Sequence, residues 1–224
     1  MKRLKLENVS LIALTSIHLS ATINALMHSS KDIDFGSVKL VSDTKPKDIP
    51  LLITQEYCNK MSNIDEWNRA MVYDLHKYVD TEFAILIHDD GFIVNPMSWR
   101  LEFLDYDYIG APWGHKHLSD SKGKIIRVGN SVSLRSKRLM ELPTRMNMKW
   151  ERFDNNFNED TQICVANRDM FLAEGMRYGD FEIAKYFSHE EYFTEFGDIK
   201  PFAFHNFGGA NNKYRELINN NNIK

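Results

Sequence analysis

The segment Phe83-Ala-Ile-Leu-Ile87, followed at once by His88-Asp89-Asp90-Gly91, constrains the fold more than any other part of this chain. Five consecutive apolar residues rich in branched types suit a strand covered on both faces, as strands are in a parallel α/β sheet. Ligands of such sheets sit beyond the carboxyl ends of the strands. The strand would therefore deliver a histidine and two carboxylates to a binding edge. Asp89 and Asp90 point to opposite faces of extended backbone, but a turn at Gly91 can redirect them toward one ion. A hard divalent cation bridging nucleotide phosphates is the commonest use of acids so placed. A plain polar turn, with both aspartates hydrogen-bonding nearby backbone, fits the same residues.

The surrounding pattern places this strand in an α/β chain. Val9 to Thr15 reads as a first strand, His18 to Met27 as a helix and Val38 to Val41 as a second strand, a βαβ beginning. Leu51 to Thr54 fits a short strand, and Ile64 to Tyr78 has helical spacing behind an Asn63 or Asp65 cap. Further on, Trp99 to Leu104 reads as a short helix, Asp105 to Ile109 and Ile125 to Val128 as strands, and Gly129-Asn130-Ser131 as a turn. Ser136 to Glu141 reads as helix stopped by Pro143. The stretch from Asp160 to Glu174 reads as a helix with Gly175 as its cap. Ala203 to Phe207 is a last strand entering Gly208-Gly209. The segment from Gly114 to Lys124, with His115, Lys116, His117, Lys122 and Lys124, reads as a loop, either a lid or a solvated surface. The expected architecture is an α/β, Rossmann-like mixed central sheet flanked by helices. One domain over residues 1–210 is followed by a polar tail, 211–224, expected to fray.

Composition removes several classes. A chain of 224 residues with 43% hydrophobic content can bury one substantial core. Its net charge of -3, from 28 Lys plus Arg against 31 Asp plus Glu, gives no basic field to hold nucleic acid. Two cysteines, Cys58 and Cys164, lack zinc or disulfide spacing, which favours a reducing cytoplasm. The charged start Met1-Lys-Arg-Leu-Lys and the apolar Ser10 to Thr15 are too short and interrupted for a signal peptide, and no stretch is long enough to span a bilayer. Peripheral contact with a membrane stays open.

Several phrases taken together carry a resemblance. They are Asp90-Gly-Phe92 with Asn95-Pro96 and Trp99, then Asp107-Tyr-Ile-Gly-Ala-Pro-Trp113, and Gly129-Asn130 with Ser133-Leu-Arg-Ser136. Glu159-Asp160 follows, and last Phe204-His205 with Gly208-Gly209. In this order the chain resembles GT-A-type nucleotide-sugar glycosyltransferases, close to a largely uncharacterised family from bacterial polysaccharide loci and large viruses. The resemblance implies transfer of a sugar from a nucleoside diphosphate donor to a hydroxyl of a glycan or lipid-linked acceptor, with inversion. It implies Mn²⁺ or Mg²⁺ on Asp90, assisted by His205, His88 and Asp89, to neutralise the departing diphosphate. His88 stands where the usual motif has an aspartate. Asp160 takes the position of the catalytic base with Glu159 supporting it, at a helix start whose dipole would keep the acid ionised. The competing reading of Asp160 is an ordinary helix cap.

Thr15 and Ser16, at the end of the first strand, fall where nucleotide binds in this fold, or else are caps. Gly129 and Asn130 fall near sugar and acceptor. Trp113 either stacks on a sugar ring or fills the core, and His205 between phenylalanines is either a ligand or a packed residue. Two other readings remain: a metal-dependent sugar-phosphate nucleotidyltransferase, and a glycan-binding domain that has lost the chemistry.

Overall fold

A computed structural model describes residues 3–115 and 117–219. Strand β1 (Leu4–Leu14), helix α1 (Leu19–Ser29) and strand β2 (Ile33–Ser42) form the expected βαβ unit, with β1 and β2 parallel. Strand β3 (Thr54–Tyr57) adds to the edge of β2, and α2 (Ile64–Tyr73) returns the chain to β4 (Phe83–Leu86). After β4 come β5 (Tyr108–Pro112), β6 (Val128–Ser136) and α3 (Lys137–Arg145). The chain then runs through α4 (Glu159–Thr161), a π-helical turn (Gln162–Ala166), α5 (Arg168–Ala173) and α6 (Phe181–Phe187). Strands β7 (Ser188–His189) and β8 (Ala203–Phe204) form a small parallel pair, and α7 (Glu216–Asn219) is the last described element.

The main sheet has the order β3-β2-β1-β4-β6-β5. Its first four strands are parallel, while β6 runs antiparallel to both β4 and β5. Alternation along β1 and β4 explains why both are apolar throughout. Leu11, Ala13, Ile85 and Ile87 face the layer containing α1 and Ile218, whereas Ile12, Leu14, Ala84 and Leu86 face the layer containing α2, α3 and Phe171. No helix among the described residues is long and apolar enough to cross a membrane. Cys58 and Cys164 are both free.

Several expectations require correction. The turn expected at Gly129-Asn130-Ser131 is part of β6. There the ladder shifts between Ile109–Leu134 and Ala111–Gly129, so two steps along β5 oppose five along β6. Asn130, at φ 88°, takes up the resulting bulge in a left-handed conformation that asparagine tolerates better than most residues. Helix α3 runs through Pro143 rather than ending before it, with the Ser136 hydroxyl capping Leu139 N–H at 3.2 Å. The single helix expected over 160–174 is broken by the π turn. The edge strand begins at Thr54 because Leu51 and Leu52 lie exposed in a turn.

The tail is also folded over its first half. A 3₁₀ segment, Gly209–Arg215, leads into α7, and Ile218 is 4% exposed against α1. Residues 220–224, like Lys116 of the basic loop and Met1-Lys2, lie outside the described residues.

Candidate active site at the switch point of the sheet

From β1 the chain crosses to β2 on one side, while β4 lies on the other. The carboxyl ends of β1 and β4 therefore form the topological switch point at which open α/β sheets bind ligands. A cavity of about 430 Å³ opens there, lined by Thr15, Ser16 and Ile17 after β1, by Met61 to Ile64 and Trp67 of α2, and by His88, Asp89, Asp90, Ser131 and His205.

The β1 end is shaped by local hydrogen bonds. Thr15 Oγ1 donates to the Ile17 carbonyl at 2.6 Å and accepts from Ile17 N–H at 3.1 Å, a tight turn within its own loop. Ser16 Oγ accepts from Met61 N–H at 3.2 Å. Neither residue caps α1. The N-cap is His18, which is left-handed with φ 53° and ties the β1 end to the turn after β4 through Asp89, Nδ1 to Oδ2 at 2.9 Å. Asn63 is the cap of α2, accepting from Glu66 N–H at 2.9 Å.

Beyond β4, backbone hydrogen bonds between His88 and Gly91 close the turn. A Cβ on Gly91 would lie 2.7 Å from the His205 ring and 2.6 Å from Val132, so glycine lets the β4 turn and the β8 end touch. His205 Nε2 stands 3.6 Å from Asp90 Oδ1, and its ring lies 5.5 Å from that of His88. His88 packs against Trp67 with Nε2 buried and unpartnered. Burial, with His205 and Arg135 nearby, drives its pKa well down and keeps it neutral. Burial raises the Asp90 carboxyl, a tendency that His205 opposes.

Among the described residues there is no cluster of three or more His, Cys, Asp or Glu side chains set to hold a metal. Asp90 and His205 nevertheless converge as two ligands of one ion would, beside the unsatisfied His88 nitrogen. A nucleotide-bridging Mg²⁺ or Mn²⁺ suits this set, because such ions take one or two protein ligands and complete their shell with phosphate and water oxygens.

Asp160 reaches the same assembly from the other side. Its Oδ2 accepts from Asn130 N–H at 3.2 Å, and Oδ1 from Thr161 N–H at 2.7 Å. The helix dipole was expected to keep this acid ionised. Instead burial, with the Glu159 charge adding to it, pushes its pKa up to about 7. A three-residue α4 followed by a π turn supplies little aligned dipole to oppose that.

The other expected site residues are placed away from the cavity. Glu159 is 1% exposed and ion-paired at 2.8 Å with the fully buried Arg135, so it lies in the core and cannot meet a substrate. Trp113 is 4% exposed, and a Cβ on Gly129 would lie 1.8 Å from its ring. Tryptophan and glycine are packing partners, and the ring face is taken up by protein. Asp107 is likewise a fold clasp, accepting from Ser136 and Arg138 side chains and from Arg177 N–H.

Two residues at the site were not anticipated, His18 and Glu190. The histidine was absorbed into the α1 pattern. The mark of Glu190 in the sequence is a pair of acids, Glu190-Glu191, directly after Ser188-His189.

The sheet order, the switch-point cavity and the acid-bearing turn define a GT-A fold. Solved structures agree. A galactosyltransferase, LgtC, in complex with donor and acceptor sugar analogues superposes with TM-score 0.57 at 10% identity, over 94% of this chain and 95% of that one. A glycosyltransferase involved in glycosylation of the major capsid of PBCV-1 gives 0.51 at 10% identity, over 94% and 98%. No curated protein matches the sequence. Residues 53–205, more than half of the chain, match the family described as protein of unknown function DUF5672, and the chain belongs to that family.

Proposed function

We propose that this protein is a single-domain glycosyltransferase. It moves a sugar from a nucleoside diphosphate donor to a hydroxyl of a glycan or lipid-linked acceptor, with inversion, in the cytoplasm. The observation that carries the reading is the convergence of Asp90 and His205 at the switch-point cavity, with Asp160 tied to the same assembly through Asn130.

In this reading the nucleoside lies between the Thr15–Ile17 turn and the start of α2. Ile17 and Ile64, both largely exposed on the cavity rim, supply apolar walls for the base. Asp90 and His205 would hold a divalent ion, which when bound would offset the charge developing on the departing diphosphate. Asp160 accepts the proton of the acceptor hydroxyl as its oxygen attacks the anomeric carbon opposite the leaving group. A pKa of about 7 suits a base that must take a proton and then release it. Asn130 fixes that carboxylate through its main-chain N–H.

The test is a panel of nucleotide sugars screened by calorimetry with and without Mn²⁺, followed by turnover assays on any that bind. Saturable binding strengthened by Mn²⁺, with release of a nucleoside diphosphate, is expected. Release of pyrophosphate from a nucleoside triphosphate would assign the site to a nucleotidyltransferase instead. That outcome is disfavoured by a β1–α1 turn, Thr15-Ser16-Ile17-His18, with no glycine or lysine to cradle a triphosphate.

A further inference from the structure

Residues 188–190 and 203–205 follow one design. Strands β7 and β8 pair in parallel, Ser188 with Ala203 and His189 with Phe204, and the ladder continues as His205 N–H donates to the His189 carbonyl at 2.9 Å. Glu190 and His205 therefore leave the ladder side by side. Glu190 Oε1 lies 3.1 Å from His205 Nδ1, and its other oxygen accepts from Asn130 Nδ2. The two nitrogens, themselves 3.1 Å apart, converge on a single carboxylate. Beneath them Asn211, 7% exposed, donates its side-chain amide to the carbonyls of His189, Glu190 and His205 at 3.2–3.3 Å. The His205 and Glu190 side chains are 21% and 24% exposed, so this pairing is partly screened from water.

We propose that Glu190 is a positioning residue. By accepting Nδ1–H it holds His205 in the tautomer whose Nε2 lone pair faces Asp90, and through Asn130 the same carboxylate fixes the backbone that orients Asp160. The proposal rests on the metal reading of Asp90 and His205. Glu190 is the nearer of the two carboxylates, 3.1 Å from Nδ1 against 3.6 Å from Nε2 to Asp90, so Nδ1 is the nitrogen that keeps the proton, with the Asn130 amide turned to the other Glu190 oxygen instead of donating to Nδ1. Only Nε2 is then free to act as a ligand, the arrangement by which carboxylates commonly orient metal-binding histidines. Asn130 has a similar lack of choice. Its Oδ1 accepts from Val132 N–H at 2.8 Å within the β6 bulge, which leaves the amide nitrogen for Glu190. One acid thus links the ion side of the cavity to the base side.

The experiment has two readouts. In metal-free protein carrying ¹⁵N-histidine, at alkaline pH, His205 is expected to be Nδ1–H in the parent chain and to shift toward Nε2–H in Glu190→Gln. Calorimetric titration with Mn²⁺ alone should give about 10–100-fold weaker binding for Glu190→Gln than for the parent. A melting curve would verify that the variant is folded. An Nε2–H tautomer in the parent would overturn the proposal even if the variant failed to fold. Equal Mn²⁺ affinity in parent and variant would overturn the Glu190 assignment while leaving the ion site standing. A parent chain that bound no Mn²⁺ while its donor sugar still turned over would instead remove the metal reading, and the ligand role of His205 with it.

Discussion

Asp160→Asn is expected to lower kcat by about 10²–10⁴-fold, the usual contribution of a general base, with donor affinity nearly unchanged. Asparagine matches aspartate in shape, but its single oxygen can keep only one of the two N–H bonds that the carboxylate accepts through separate oxygens, from Asn130 at Oδ2 and from Thr161 at Oδ1. It cannot take the proton of an attacking hydroxyl. The parent enzyme should also gain activity as pH rises through about 7, where Asp160 ionises, and the variant should lose that limb of the profile. Stability should move the opposite way. The folded state raises this pKa above its unfolded value of about 3.9, so the acid's contribution is full below that pH and lost as pH rises through about 7. Asp160→Asn should therefore compare more favourably with the parent at pH 8 than at pH 5 in denaturant unfolding. Turnover of the variant at the parental rate would remove Asp160 from the role.

The largest stability effect is expected at the ion pair made by the neighbouring Glu159 with Arg135. Arg135→Met would strand the Glu159 carboxylate at 1% exposure, where its Oε2 already has no partner, and should cost about 3–5 kcal/mol. Replacing both residues, Arg135→Met with Glu159→Leu, should recover most of that loss, because an apolar pair of similar volume leaves no unpaired charge. Urea midpoints of the parent, the single and the double variant would measure both effects. A single variant costing less than about 1 kcal/mol would mean that water reaches the pair. The pair also sets the start of α4, so the single variant should disturb Asp160 and depress activity in whatever protein remains folded.

What could be read from the sequence was whatever had a local cause. The run Phe83–Ile87 is apolar because both faces of β4 are covered, and the acids beyond it lie at the switch point because strands of this kind end there. Asn63, one of two cap candidates beside Asp65, is the residue that caps α2. The misread parts depend on partners far away along the chain. Gly129-Asn130-Ser131 has the composition of a turn, and only pairing with β5 turns it into a bulge within a strand. Trp113 had two credible uses until the bare Cα of Gly129 proved to lie against its ring. Glu190 carries no motif, since its importance comes from the β7–β8 register that sets it beside a histidine fifteen positions later. The rise in the Asp160 pKa was hidden for the same reason: sequence shows the helix start but not the depth of burial.

Asn211 changes where the working domain has to be cut. By composition the chain looks finished at residue 210, and an engineer trimming polar residues would remove everything beyond the two glycines. Three carbonyls around the Glu190–His205 pair would then lose their shared amide donor, and α1 would lose the cover of Ile218. A shortened version is expected to keep its sheet and lose the Glu190–His205 geometry, so for expression, fusion or immobilisation the safe boundary lies after α7.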